Sequence, residues 1–169
     1  MAGKELNDTS AALLGLLHDG SMTGGQLMAE AINRLGPYWT MTRSQVYREL
    51  PALAEAGYVR VGKPGPRASV PYTISANGRR AFSRWLNEPT TIGKLRDPIA
   101  LRTAFMEHMS PATLSEMYAD ALEQHQEALS EARAISKELA GEDAGASTAM
   151  DFAIGHHRSS INWLKARQK

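Results

Sequence analysis

The chain has 169 residues, 43% of them hydrophobic and 22% charged, with a formal net charge of +1; this excludes a disordered chain and allows one good-sized core or two small ones. No cysteine is present, which excludes disulfides, thiolate metal sites and cysteine nucleophiles and fits a reducing cytoplasm. No apolar run reaches the roughly 18 residues that span a bilayer, and the N-terminus lacks the apolar stretch of a secretory signal; the reading is a cytoplasmic chain with no membrane partner.

Asp8 or Thr9 can cap a first helix whose Leu13, Leu14, Leu16 and Leu17 recur at helical spacing up to Gly20. A second helix follows Thr23 with Leu27, Met28, Ala31, Ile32 and Leu35, and ends at Gly36-Pro37, because proline disfavours helical geometry in the residue before it. Trp39, just beyond, reads as a core anchor. Thr42 caps a third helix carrying Val46, Tyr47, Leu50, Leu53 and Ala54, with Pro51 expected to bend or shorten it and Gly57 placed as a left-handed stop.

Tyr58-Val59-Arg60-Val61 and Pro71-Tyr72-Thr73-Ile74 read as two strands joined by a basic, turn-forming connection that holds Lys63 and Arg67. Ser75 can cap a fourth helix through Phe82, Trp85 and Leu86. Further on, Asp97-Pro98 opens a helix with Ile99, Leu101, Phe105 and Met106, and Ser110-Pro111 opens a long one. In the long helix Leu114, Tyr118, Ala121, His125, Ala128, Ala132, Ile135 and Leu139 alternate at spacings of four and three, a coiled-coil seam. Residues 141–147 read as a break, and Met150, Ile154, His157, Ile161 and Leu164 continue the spacing in a last helix that packs antiparallel on the long one.

Three helices followed by a hairpin is the order of elements in a winged helix-turn-helix, whose third helix enters the major groove. The expected fold is therefore mainly α with a small β-hairpin wing: a winged helix-turn-helix DNA-binding domain over 1–88 and an antiparallel long-helix dimerisation region over 96–167. Charge agrees. Residues 34–84 hold nine basic side chains against Glu49 and Glu55, a local charge of +7 that leaves −6 for the rest of the chain. A basic segment in a near-neutral protein is the footprint of a phosphate-binding surface.

The first 85 or so residues resemble the PadR family of bacterial transcriptional regulators. The resemblance rests on Ala12-Leu13-Leu14-Gly15-Leu16-Leu17, on Trp39, Thr42, Val46, Tyr47, Leu50 and Leu53, and on Ala56-Gly57-Tyr58-Val59. It continues through Pro66-Arg67, Tyr72-Thr73-Ile74, Gly78 and Trp85. Departures fall at Arg48, where the family usually has proline, at Ser44, often glycine, and at Gly24-Gly25-Gln26-Leu27, where a Gly-Tyr-Glu-Leu type motif is usual. The resemblance implies a homodimer that represses transcription by binding a double-stranded promoter or operator and is released by a small-molecule effector.

Docking geometry makes Thr42, Arg43, Ser44, Gln45, Tyr47 and Arg48 the candidates for DNA contact on the third helix. Arginine can hold guanine bidentately and glutamine can hold adenine, while hydroxyls suit phosphates or bases; Tyr47 can also be a core aromatic. Lys63 and Arg67 can reach a phosphate or the minor groove from the wing, and Arg79, Arg80 and Arg84 read equally well as solubilising charge. The resemblance implies that aromatic effectors stack on side chains at the dimer interface, which makes Trp85 the candidate for an effector pocket.

His125 and His157 fall on the two seams and could pair across them. His156 and His157 are adjacent, so they should point to different helix faces, and no metal site is expected. No cofactor and no enzymatic motif is apparent. The rival reading is a winged-helix protein-interaction adaptor without specific DNA binding.

Overall fold

A computed structural model describes residues 5–66, 69–90, 92–141 and 143–168. The chain divides into two compact units, Met1–Thr90 and Thr91–Lys169.

In the first unit α1 (Asp8–Leu16) is prolonged by one 3-10 turn, Leu17–Asp19. Its cap is Asn7, whose Oδ1 accepts the Ser10 amide at 2.8 Å, and not Asp8 or Thr9 as the sequence suggested. Asp8 instead lies in the first turn, where its negative charge complements the helix dipole. Because α1 buries Ala11, Leu13, Leu14, Leu16 and Leu17 on several sides, it takes the centre of the unit, with α2 (Gly24–Leu35), α3 (Arg43–Glu55) and α4 (Ala76–Asn87) packed around it. The fully buried Leu27, Val46, Leu50 and Leu53 complete this core. Trp39 is not part of it: its ring is 36% exposed, and Met41 is the buried side chain ahead of α3.

Two of these helices start with a reciprocal cap. Thr23 Oγ1 accepts the Gln26 amide while Gln26 Oε1 accepts the Thr23 amide, and Thr42 and Gln45 repeat the pattern. α3 runs through Pro51 for its full 13 residues, so proline does not shorten it. What proline removes is the amide that would have reached the Tyr47 carbonyl. Gly57 adopts φ 70° after α3, a conformation that costs a residue with a Cβ.

The hairpin strands are β2 (Val59–Val61) and β3 (Pro71–Ile74), antiparallel with Val59 opposite Ile74 and Val61 opposite Tyr72. A further strand, β1 (Met22–Thr23), pairs with the other edge of β3, giving the order β1-β3-β2. Two residues carry no alternation from which a strand could be read. Ser75 Oγ accepts the Gly78 amide at 3.0 Å and starts α4. A Cβ on Gly78 would lie 2.1 Å from the Tyr58 carbonyl oxygen, so α4 can approach β2 this closely only with glycine there.

In the second unit α5 (Pro98–Thr103) is capped by Asp97 and stops before Phe105 and Met106; Met106–His108 is a separate 3-10 turn. α6 (Pro111–Leu139) starts at Ser110, and α7 (Ala144–Lys165) starts at Asp143, inside the segment expected to be a break. Tyr118 meets Trp163 and His125 meets His157, so the two helices run antiparallel. Their buried seam comprises Met117, Tyr118, Ala121, Leu129 and Ala132 against Met150, Ala153, Ile154, Ile161 and Leu164. The Tyr118 hydroxyl donates to Thr103 Oγ1 at 3.2 Å and ties α5 to α6. Among the described residues no helix is long and apolar enough to cross a membrane.

Candidate nucleic-acid interface

The first turn of α3 carries most of the residues singled out from the sequence, and the structure divides them by role. Thr42 and Gln45 are engaged in the cap: Gln45 Oε1 lies 2.7 Å from the Thr42 amide. Adenine readout by Gln45 would therefore compete with a helix start. Ser44 Oγ lies 3.0 Å from Thr42 Oγ1 and extends the same cluster. Arg43 is exposed and makes no hydrogen bond or ion pair among the described residues.

Arg48 is held from below. Its Nε and Nη2 donate to Glu49 Oε1 at 3.2 and 3.1 Å, with the arginine side chain 69% exposed and the glutamate 6%. Glu49 Oε2 in turn accepts from Ser10 Oγ at 2.9 Å and Asn7 Nδ2 at 3.3 Å. The buried carboxylate thus ties the start of α1 to α3 and leaves the guanidinium at the surface with its direction constrained. In the sequence Glu49 registers only as a negative charge; its position between Val46 and Leu50 on the inward face of α3 is the signal that it is buried.

Tyr47 is 52% exposed. Its ring lies against Gly24 at the start of α2, where a Cβ would come within 3.1 Å of it. The side chain is both a packing element and a surface group. In the wing, Gly62 donates to the Pro71 carbonyl at 2.8 Å and Gly65 to the Ser69 carbonyl at 2.7 Å, which narrows the connection and leaves Lys63 exposed. Arg67 lies outside the described residues. Arg60, not singled out from the sequence, is exposed in the middle of β2, where strand alternation places it. Arg79, Arg80 and Arg84 are exposed on α4, with Arg80 bonded to Asn77.

Trp85 is half-buried and stacked on Phe82, ring centroids 6.1 Å apart. In the second unit a cleft of about 280 Å³ is lined by Leu95, Asp97, Ile99, His125, His156 and Trp163 among others. His125 and His157 do pair across the seams, with Nδ1 atoms 2.9 Å apart, so that one ring donates its Nδ1–H to the unprotonated Nδ1 of the other. Burial lowers the pKa of both below the ordinary imidazole value. Repulsion from His156 adds to this at His125, opposed by Asp97, and repulsion from His125 and His156 adds to it at His157. His156 joins the pair despite its adjacency to His157. Neighbouring helical residues diverge by about 100° at Cα, but the long imidazole side chains turn back toward His125, with ring centroids 5.2 to 5.9 Å apart.

Four helices packed with a three-stranded wing, followed in the second unit by a pair of long helices, define a winged-helix chain. The chain is similar over most of its length to PadR transcriptional regulators. It is 25% identical over 168 residues, 92% of each chain, to the negative transcriptional regulator PadR of Bacillus subtilis (strain 168). A solved structure of B. subtilis PadR in complex with operator DNA matches with a TM-score of 0.82 at 22% identity, covering 98% of both chains. The same protein in complex with p-coumaric acid matches at 0.73 over 96% of both chains. The PadR-like regulator BC1756 from Bacillus cereus matches at 0.83 and 17% identity over 95% of this chain and 96% of that one. Residues 95–167 match the family described as Virulence activator alpha C-term.

Proposed function

We propose that this chain is a cytoplasmic, DNA-binding transcriptional regulator, a homodimeric repressor of the PadR type that a small-molecule effector releases. The observation that carries this reading is the first turn of α3: a helix start locked by its own reciprocal cap, presenting an uncommitted Arg43 beside Ser44, Tyr47 and a braced Arg48. In a helix-turn-helix these are the positions that meet base edges. Thr42 and Gln45 then hold the turn in shape, and Lys63 and Arg67 of the wing supply phosphate contacts.

On this reading residues 1–88 bind DNA and 96–167 dimerise. The exposed Leu101, Phe105, Met106 and Phe152 of the second unit support a partner subunit. The p-coumaric acid bound by B. subtilis PadR supports an aromatic effector, with Trp85 as a stacking partner. The homologues are regulators, which are not enzymes, and we infer binding without turnover here too.

The test is the affinity of the purified chain for its own upstream promoter duplex against a scrambled duplex across a salt series. Arg43→Ala should cost about 1–3 kcal/mol on the promoter and erode discrimination. Lys63→Ala should weaken both duplexes alike and reduce the salt slope by about 1. Equal, weak and salt-independent binding to both duplexes would overturn the reading in favour of a protein-interaction adaptor.

A further inference from the structure

DNA binding does not account for the three histidines between α6 and α7, and packing accounts for only two of them. One hydrogen bond links His125 to His157, which explains two rings. His156 is exposed and turned inward against both, although solvent is open to it and its ring forms no hydrogen bond with the described residues.

We propose that His125, His156 and His157 form a binding site for a divalent transition cation of the zinc class, which clamps α6 to α7. Each residue offers one imidazole nitrogen, and these atoms lie within 4.8 Å of one another. Nitrogen ligands about 2.0–2.1 Å from a tetrahedral ion sit about 3.4 Å apart. The widest separation must therefore close by at most about 1.4 Å, which side-chain rotation of the exposed His156 can supply. The ion replaces the existing hydrogen bond: the donating ring shifts its proton to Nε2, and both Nδ1 lone pairs turn to the metal with no net proton loss.

The chemistry of the donors selects the ion. Three imidazoles and no thiolate suit Zn²⁺, Co²⁺, Ni²⁺ or Cu²⁺, while Mg²⁺ and Ca²⁺ prefer oxygen. The open cleft that His125 and His156 share with Asp97 leaves room for a water as fourth ligand, and the Asp97 carboxylate lies close enough to act on His125 electrostatically. Its Oδ1 is bonded to the Ala100 amide at 2.7 Å, which fixes that negative charge beside the site.

The experiment uses the full chain without a histidine tag, stripped with chelator and titrated with Co²⁺ and Zn²⁺. Co²⁺ should be taken up at one ion per chain with the visible absorption of a tetrahedral nitrogen site, and Zn²⁺ should raise the melting temperature. His156→Gln, an exposed position that leaves the fold intact, and His157→Gln should each weaken uptake by roughly 100-fold and abolish the Zn²⁺ shift. His18→Gln and His108→Gln, outside the cluster, should change neither. Absence of saturable uptake, or uptake that His156→Gln and His157→Gln leave unchanged, overturns the site. Neither outcome bears on DNA affinity, so this inference fails or stands apart from the proposed function.

Discussion

The two units are held together in different ways. The first closes around branched aliphatic side chains, with Leu13, Leu14, Leu27, Val46, Leu50 and Leu53 all at zero exposure and drawn from three helices. The second closes along one seam, where Ala121, Ala132 and Ala153 stand among Met117, Tyr118, Leu129, Met150, Ile154, Ile161 and Leu164 and where imidazoles occupy the middle. Large interlocking side chains admit one arrangement of their helices. A single seam buries one face of each long helix, and the unit leaves Leu101, Phe105, Met106 and Phe152 exposed. The core around α1 is enclosed by three other helices, whereas α6 and α7 bury themselves against each other along one face.

The strongest challenge to this contrast is a cavity in the first core. Leu50→Ala should cost about 3 kcal/mol, within the usual span for a fully buried leucine, measured by urea unfolding and followed through the first unit. A loss below about 1 kcal/mol would mean that the core is loosely packed and the contrast false. The converse change fills the second seam. Ala132→Leu should cost about 2 kcal/mol by forcing α6 and α7 apart, and the same urea titration should show the loss in the second unit's transition while the first is unmoved. Neutral or stabilising behaviour would show that the seam has unused space.

The third prediction concerns acid. In metal-free protein, burial and mutual repulsion hold His125 and His157 below the ordinary imidazole value, with His156 and Asp97 the other charged groups facing them. The unfolded chain then binds more protons than the folded one in the window below about pH 6.5. The stability linked to these rings is fully present above that pH and is lost as pH falls through their lowered values. Thermal melts of the second unit should shift downward from pH 8 to pH 5, and His125→Gln combined with His157→Gln should flatten that dependence. A first unit that shifts equally, or a double variant that shifts as before, would detach the effect from the imidazole pair.

Much of the fold was legible because its signals are local. Thr23, Thr42, Ser75, Asp97 and Ser110 each cap the helix expected of them, since a capping side chain answers to an amide three residues on. Asn7 was missed because Asp8 and Thr9 are equally good caps by type, and only the apolar docking of α1 decides which of them starts it. Features that depend on distant partners were not legible. β1 exists through its pairing with β3, some fifty residues on. The burial of Glu49 depends on Ser10 and Asn7. The convergence of His156 on His125 follows from the register of α6 against α7, which a two-seam pattern leaves free by one turn. Of the proposed DNA-facing residues, the sequence identified the turn, but the division between Gln45 as a cap and Arg43 as an uncommitted side chain required the structure.

The reciprocal cap at Thr42 and Gln45 has a consequence for recognition. Fixing the backbone of one residue costs roughly 1–2 kcal/mol in conformational entropy, and a recognition turn that orders only on contact surrenders that amount from its affinity for each residue concerned. In this chain the first turn of α3 has met that cost during folding, so its contacts with a partner are realised as affinity. Loss of the cap through Thr42→Ala would therefore act mainly as an entropic penalty on binding, seen as a slower association with little change in the contacts made once bound.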